Sequence, residues 1–327
     1  MQNTSYQNLI IGFGKAGKTL AGFLAKKGET VALVERSKER YGGTCINVAC
    51  IPSKSLEYSA RLSAAAGGDF AAKAARYRTA IAEKRRLTAM LREKNYAKVT
   101  GTGAVVIDGE ASFVDAHTVR IVGADGEQTV MANRIFINTG ALPFVPPIEG
   151  AAESTHVYTS ETMMELDELP EKLVIIGGGY IGLEFASYYA NFGSSVAVVQ
   201  DGDAFIPRED TEIAARVLQH TNDRGIHILM GAKVQRIEDS AGGANVVVQT
   251  AGGEKTLAAN AILIATGRRP NIEGLNLAAA GVAVTERGAV AVDEHLRTNV
   301  PHIWAMGDVT GGLQFTYISL DDFRIVK

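Results

Sequence analysis

One arrangement of residues occurs twice in this chain of 327 residues: an apolar strand, a G-x-G-x-x-G turn, a helix, and a second apolar strand ending in a polar residue. In the first copy, Asn8–Ile11 leads into Gly12-Phe13-Gly14-Lys15-Ala16-Gly17, a helix runs to about Lys27, and Thr30–Val34 ends at Glu35. In the second, Lys172–Ile176 leads into Gly177-Gly178-Gly179-Tyr180-Ile181-Gly182, a helix runs to about Phe192, and Ser195–Val199 ends at Gln200. The pattern predicts two βαβ units. Glycines at these positions allow a tight turn and a close approach of backbone to a pyrophosphate, which sits on the helix N-terminus. The polar residue closing the second strand is placed to bind ribose hydroxyls. Each unit is therefore expected to bind a dinucleotide, through Gly12, Gly14, Gly17 and Glu35 in one and Gly177, Gly179, Gly182 and Gln200 in the other.

The two units differ at that last position. A carboxylate there selects the unphosphorylated nicotinamide nucleotide, and a nearby arginine accommodates a 2′-phosphate. Gln200 does neither. Asp201 and Asp203 oppose a 2′-phosphate, and Arg208 is the nearest arginine, so the balance favours NADH and leaves NADPH open. Residues Gly12 to Thr19 also satisfy the P-loop pattern GxxxxGK[ST]. The acid at Glu35 follows the first helix directly, as in a dinucleotide-binding unit, so Lys15 and Lys18 are read as helix-surface residues.

Between the two units lies the only cysteine pair of the chain, in Gly42-Gly43-Thr44-Cys45-Ile46-Asn47-Val48-Ala49-Cys50-Ile51-Pro52-Ser53-Lys54. Cα atoms five residues apart in a regular helix are about 8.7 Å apart, beyond the reach of a disulfide. The pair can close only where the backbone is irregular, and Pro52 supplies a reason. A helix over about Pro52–Ala66 places Cys50 near its N-terminus, where the dipole favours a thiolate, and Lys54 adds a cation. Two buried, unreactive cysteines are the competing reading; the setting favours a redox dithiol. Such a pair without other cysteines suits the cytoplasm, where disulfides are usually catalytic.

Composition narrows the partners. A content of 46% apolar residues and 35 glycines fits an α/β protein with a buried core, and a net charge of −3 gives no reason to expect nucleic acid or a membrane. The start, MQNTSYQ, is polar and leads straight into a strand, unlike a signal peptide. Lys73–Lys98, with nine Lys or Arg against two Glu, reads as the solvated face of helices. Residues 103–137 alternate apolar and polar with Asp108-Gly109 and Asp125-Gly126 turns, as a small antiparallel layer does. The six histidines show no metal-ligand spacing, and no metal is expected. His156 and Glu161 have a His-x4-Glu spacing, but Thr159–Leu166 reads as a capped helix, which argues against a catalytic base there.

These motifs, with Asn138-Thr139-Gly140, Ala265-Thr266-Gly267-Arg268-Arg269-Pro270 and Ala305-Met306-Gly307-Asp308 in order along the whole chain, resemble the pyridine nucleotide–disulfide oxidoreductases. The resemblance implies an α/β fold of two interleaved Rossmann-like domains, each a parallel sheet with a small antiparallel β layer. An FAD domain would span 1–148 and 271–327, and an NAD(P) domain 149–270. It implies FAD and NADH (or NADPH) as cofactors, with electrons passing from nicotinamide through flavin to a Cys45–Cys50 disulfide. Cys50 would lie beside the flavin and Cys45 would face the substrate. Lys54 and Glu184 would pair near the flavin, and Tyr180 would gate the nicotinamide pocket. Gly43, Thr44, Lys54, Thr139, Gly140, Gly307 and Asp308 would contact FAD, with Gly267 on the nucleotide side.

Within the group, "IIGFGKAGKTLA" and "IWAMGDVTGGLQFTYISLDDFRIVK" resemble a flavoenzyme of bacterial reactive-chlorine defence, which implies Cu(II) or another oxidant as acceptor. A generic disulfide reductase, or a nucleotide-binding fragment without turnover, are the alternatives. Members of the group carry a further C-terminal interface domain that makes a homodimer. The chain ends at Lys327, so that domain is expected to be absent.

Overall fold

A computed structural model describes residues 3–327. The expectation of a polar start rests partly on Met1 and Gln2, which lie outside the described residues. In chain order the helices are α1 (Lys15–Lys26), α2 (Thr44–Asn47), α3 (Cys50–Ala66), α4 (Phe70–Thr100), α5 (Ser160–Met163), α6 (Tyr180–Phe192), α7 (Thr211–Asp223) and α8 (Thr316–Val326). Among the described residues no helix is long and apolar enough to cross a membrane. The chain divides into two compact units, one of residues 1–50, 87–142 and 268–327, the other of residues 51–86 and 143–267.

The first unit is built on a seven-stranded sheet. From one edge it runs Val105–Asp108, Val31–Glu35, Asn3–Ile11, Gly126–Ile137, Thr118–Gly123 and Glu110–Phe113, and Ile303–Ala305 also pairs with Gly126–Ile137. Val31–Glu35 is buried throughout, as a strand covered on both faces must be. Strand Gly126–Ile137 does two jobs. Gly126 (φ +111°) to Met131 pair antiparallel with Thr118–Gly123, and Thr129 to Ile137 run parallel to Asn3–Ile11 on the opposite edge. The alternating segment 103–137 is thus an antiparallel layer only from Glu110 onward, because Val105–Asp108 joins the parallel sheet beside Val31–Glu35.

The second unit repeats the plan with a five-stranded, wholly parallel sheet in the order His227–Leu229, Ser195–Val199, Lys172–Ile176, Ala261–Ile264, Val157–Thr159. An antiparallel sheet of Lys233–Ser240, Gly243–Thr250 and Gly253–Ala259 packs its apolar face into the same core. Both units have the expected design, a parallel sheet with a small antiparallel layer.

Two local expectations are corrected. The helix read over Thr159–Leu166 is one turn only, Ser160–Met163, closed at its start by a capping box between Thr159 and Thr162. The basic stretch forms the single helix α4, but it is not all solvated. Lys84 is fully buried and paired with Glu165, and Tyr77 is buried with its hydroxyl donating to the Leu166 carbonyl (2.8 Å). These contacts explain why residues 51–86 cluster with the second unit, whereas the sequence reading kept them with the first.

One buried side chain holds the first unit's glycine turn. Asn138 accepts the Gly17 N–H (2.8 Å) and donates to the Met306 carbonyl (2.7 Å). Asn138→Ala would leave a buried donor and a buried acceptor unmatched, at about 1–3 kcal/mol each. Urea unfolding should therefore show a loss of about 2–4 kcal/mol, and a loss below about 0.5 kcal/mol would contradict this role.

Candidate active site

The glycines of the first turn are required by packing. Gly12 has φ +107°, and a Cβ on it would stand 2.3 Å from the Asn138 carbonyl oxygen. A Cβ on Gly14 would meet Asn138 Oδ1 at 2.6 Å, and one on Gly17 would meet the Gly12 oxygen at 2.5 Å. The turn delivers α1, whose N-cap Gly14 supplies no side-chain cap; Ser319 and Asn138 take the N–H groups of Ala16 and Gly17 from other parts of the chain. Glu35 is buried at the end of its strand and accepts the N–H groups of Phe13 (3.0 Å) and Ser37 (3.3 Å). Burial raises its pKa while these bonds oppose the shift. Glu35 thus clasps the glycine turn from below.

The segment before the cysteines packs onto that turn. Gly43 (φ +79°) lies so close that a Cβ would be 2.6 Å from Gly14 Cα. From Gly43 the chain enters α2, which carries Thr44 and Cys45, and stops at Asn47. Val48 (φ −141°) breaks the helix and α3 restarts at Cys50. The break lets the two side chains meet. A hydrogen bond with Cys50 is the largest influence on Cys45 and, with burial, pushes its thiol pKa up. Thr316, the first residue of α8, lies 3.6 Å from Cys50 Sγ and also bonds Cys45, which pulls that thiol the other way. Asn47 gives both its N–H groups to the carbonyls of Tyr41 and Gly43 (3.0 Å each), and its buried Oδ1 has no partner among the described residues.

The remaining residues expected at this site gather around Asn138. Thr139 donates to the Asn271 carbonyl (2.6 Å), and Gly140 (φ +73°) faces Thr44 Oγ1. Gly307 (φ +74°) packs against Asn138 Nδ2 and Ser319 Oγ, and its N–H is held by Asp322 (2.6 Å). Burial raises the Asp308 carboxyl, and Arg268 opposes the rise. The residues fit a dinucleotide: a glycine cradle with no room for a side chain, and a buried acceptor still lacking a donor.

In the second unit the Ala265 carbonyl does what the Asn138 carbonyl does in the first, since a Cβ on Gly177 (φ +111°) would stand 2.5 Å from it. A Cβ on Gly182 would stand 2.0 Å from the Gly177 oxygen, while Gly179 caps α6 without a side chain and is open. Gln200 accepts the Gly178 N–H (2.9 Å) with its Oε1, as Glu35 accepts that of Phe13, and its Nε2 faces Asp201 at 3.4 Å. Gly267 (φ +128°) accepts the Phe144 N–H (2.9 Å). Lys54 and Glu184 form an ion pair, and Ser53 donates to the same carboxylate (3.1 Å). Tyr180 is half exposed at the start of α6, with its hydroxyl donating to Glu209.

Sequence reasoning missed four supports in the first unit: Lys18, Thr316, Ser319 and Asp322. Lys18 is not a helix-surface residue, because its ammonium is part-buried beneath the Gly42 turn. Ser319 accepts the Ala16 N–H (3.2 Å) from across the chain. The only signal for the last three was their place on the helix after Gly307-Asp308.

A chain with two such glycine cradles, and a thiol pair packed against one of them, is a dinucleotide-binding redox protein. Residues 6–322 match the pyridine nucleotide-disulphide oxidoreductase family, and the chain belongs to it. It is 47% identical over 323 residues to the probable pyridine nucleotide-disulfide oxidoreductase RclA of Escherichia coli (strain K12), covering 98% of this chain and 70% of that protein. It is 34% identical over 328 residues to a mercuric reductase of Staphylococcus aureus, covering 98% of this chain and 59% of the relative. Its fold superposes with a TM-score of 0.91, at 47% identity, on the Cu(II) complex of the HOCl-induced flavoprotein disulfide reductase RclA from Escherichia coli, covering 99% of this chain and 70% of that one. Enzymes of this family use FAD and NAD(P)H.

The buried carboxyls carry a pH signature. Burial raises both Asp308 and Asp322. A carboxyl raised on folding stabilises the folded state below its unfolded value of about 3.9, and that contribution is lost as pH rises through the folded value. Asp322→Asn keeps an acceptor for the Gly307 N–H and removes the titration. In ligand-free protein, denaturant unfolding should show the variant gaining on the parent between about pH 4 and pH 7. A difference constant with pH would contradict the assignment.

Proposed function

We propose that the first unit holds FAD, the second holds a nicotinamide nucleotide, and the Cys45–Cys50 pair is the disulfide they reduce. One observation carries this reading: the thiol segment is seated on a dinucleotide cradle, Gly43 against Gly14, with no room for a single added carbon. Bound FAD supplies the two-electron chemistry between nicotinamide and disulfide. The chain's own residues bind, orient and hold charge. Gly12, Gly14 and Gly17 bring the start of α1 to the pyrophosphate. Glu35, Gly43, Thr44, Thr139, Gly140, Gly307 and Asp308 complete that site. Gly177, Gly179, Gly182, Gln200 and Gly267 serve the nicotinamide nucleotide, with Tyr180 as its gate. The Lys54–Glu184 ion pair tunes the reduction.

The family's interchange role falls to Cys45, and Cys50, at the N-terminus of α3, takes the thiolate facing the cofactor. The disulfide takes up two electrons that originate in NADH and one proton from solvent, leaving one thiol and one thiolate. The acceptor we propose is Cu(II) or another oxidant met in reactive-chlorine stress. Two Cu(II) each take one electron, the S–S bond re-forms and one proton leaves. The RclA structures described as a Cu(II) complex and as HOCl-induced support that choice. A cysteine pair of this kind also suits action in the cytoplasm.

Gln200 supports NADH as the donor, since its carbonyl is spent on the glycine turn and its amide faces Asp201, an acid that opposes a 2′-phosphate. Anaerobic addition of nucleotide to FAD-loaded protein should bleach the flavin spectrum, NADH acting at least about tenfold more efficiently than NADPH, a difference of about 1.4 kcal/mol. A Cu(I)-specific chelator should then report copper reduction that Cys45→Ser and Cys50→Ser each lower by about 100-fold or more. Flavin that neither nucleotide bleaches, or copper reduction indifferent to both cysteines, would overturn the proposal.

A further inference from the structure

Lys18 stands one turn into α1 and its ammonium is turned inward. It donates to the Gly42 carbonyl (2.9 Å) and to Asn95 Oδ1 on α4 (2.7 Å). Both partners are neutral, and among the described residues no carboxylate lies within ion-pair distance of it. A part-buried cation held only by neutral groups is costly unless an anion is at hand. The groups that act on it are named by its surroundings. Burial pulls its pKa down to about 8, Lys15 on its own helix and Lys98 on α4 repel its charge, and Cys45 on α2 favours it. The relation is mutual: on Cys45, the Cys50 hydrogen bond and burial disfavour the thiolate, while Thr316 on α8 and Lys18 favour it. The contact is also mechanical, since Gly42 belongs to the turn that launches α2 and its thiol.

Resting on the dithiol reading above, we infer that Lys18 is the positioning cation of Cys45. Its ammonium pins the Gly42–Gly43 turn and supplies the counter-charge that lets Cys45 act as a thiolate. When the S–S bond takes two electrons, both sulfurs leave as thiolates. One proton from solvent is then shared across the Cys45–Cys50 hydrogen bond, and one negative charge remains on the pair. The α3 N-terminus draws that charge toward Cys50 and Lys18 draws it toward Cys45. Lys18 thereby keeps Cys45 nucleophilic toward an incoming oxidant or disulfide while Cys50 stays in reach to close the ring.

The test reads Cys45 alone. In a Cys50→Ser background, the rate of iodoacetamide alkylation is followed by mass spectrometry from about pH 6 to pH 10. Lys18→Met should raise the midpoint by about half a pH unit or more and slow labelling at neutral pH about threefold or more. Lys18→Gln, which can still donate to the Gly42 carbonyl and serves if the Met variant fails to fold, should do the same. Lys18→Arg should hold the parent midpoint. An unchanged midpoint in both neutral variants would overturn the inference, as would an Arg variant that shifts as far as they do, since the role would then be the turn and not the charge. Whether the parent's two thiols oxidise together is a separate readout, so failure of the dithiol reading is distinguishable from failure of Lys18.

Discussion

A two-residue interruption between helices decides whether this molecule's two cysteines can meet. Had α2 run on into α3, the two cysteines would stand about 8.7 Å apart and could not pair. The chain instead ends one helix at Asn47 and starts the next at Cys50, which brings the thiols into contact and gives Cys50 the N-terminus of a 17-residue helix. The interruption is held from both sides. Asn47 bonds back to Tyr41 and Gly43, and Gly43 rests on Gly14 of the nucleotide turn. Thr316 closes the thiols from the far end of the sequence. The meeting of the two thiols is thus a property of the cradle beneath them.

The two cradles show how one backbone plan is wired with different side chains. Each needs an oxygen directly beneath its first glycine, from Asn138 in one and Ala265 in the other. Each needs an acceptor at the end of the neighbouring strand to hold the turn, Glu35 in one and Gln200 in the other. In the first unit the side chain of Asn138 also reaches Met306, joining the turn to the Gly307-Asp308 segment. In the second unit the residue closing the strand, Gln200, is followed by the acidic residues Asp201 and Asp203.

Much of this was legible in the sequence because the signals are local. Strand Lys172–Ile176, the glycine turns, α1, α6 and the start of α3 follow from periodicity and punctuation within a few residues. The Lys54–Glu184 pair was expected from the resemblance, and the two residues do meet. What was not legible depends on distant partners. Lys84 looked solvated among other basic residues, yet Glu165 draws it inside. Lys18 looked like helix surface, yet the Gly42 carbonyl and Asn95 lie over it. Ser319 reaches Ala16 across most of the chain, and Val105–Asp108 chose the parallel sheet because an open edge beside Val31–Glu35 was available. No pattern within a short window encodes such choices.

The central claim is that Cys45 and Cys50 act as one two-electron couple. Trypsin tests it conveniently, because no Lys or Arg lies between Arg40 and Lys54 and one peptide carries both cysteines. Protein equilibrated against graded dithiothreitol buffers, quenched with an alkylating agent and digested, should give that peptide in two forms only, doubly alkylated or internally cross-linked. The two should exchange in a single two-electron transition. A singly alkylated peptide across the transition, or two thiols that stay alkylatable under every oxidising condition, would contradict the account.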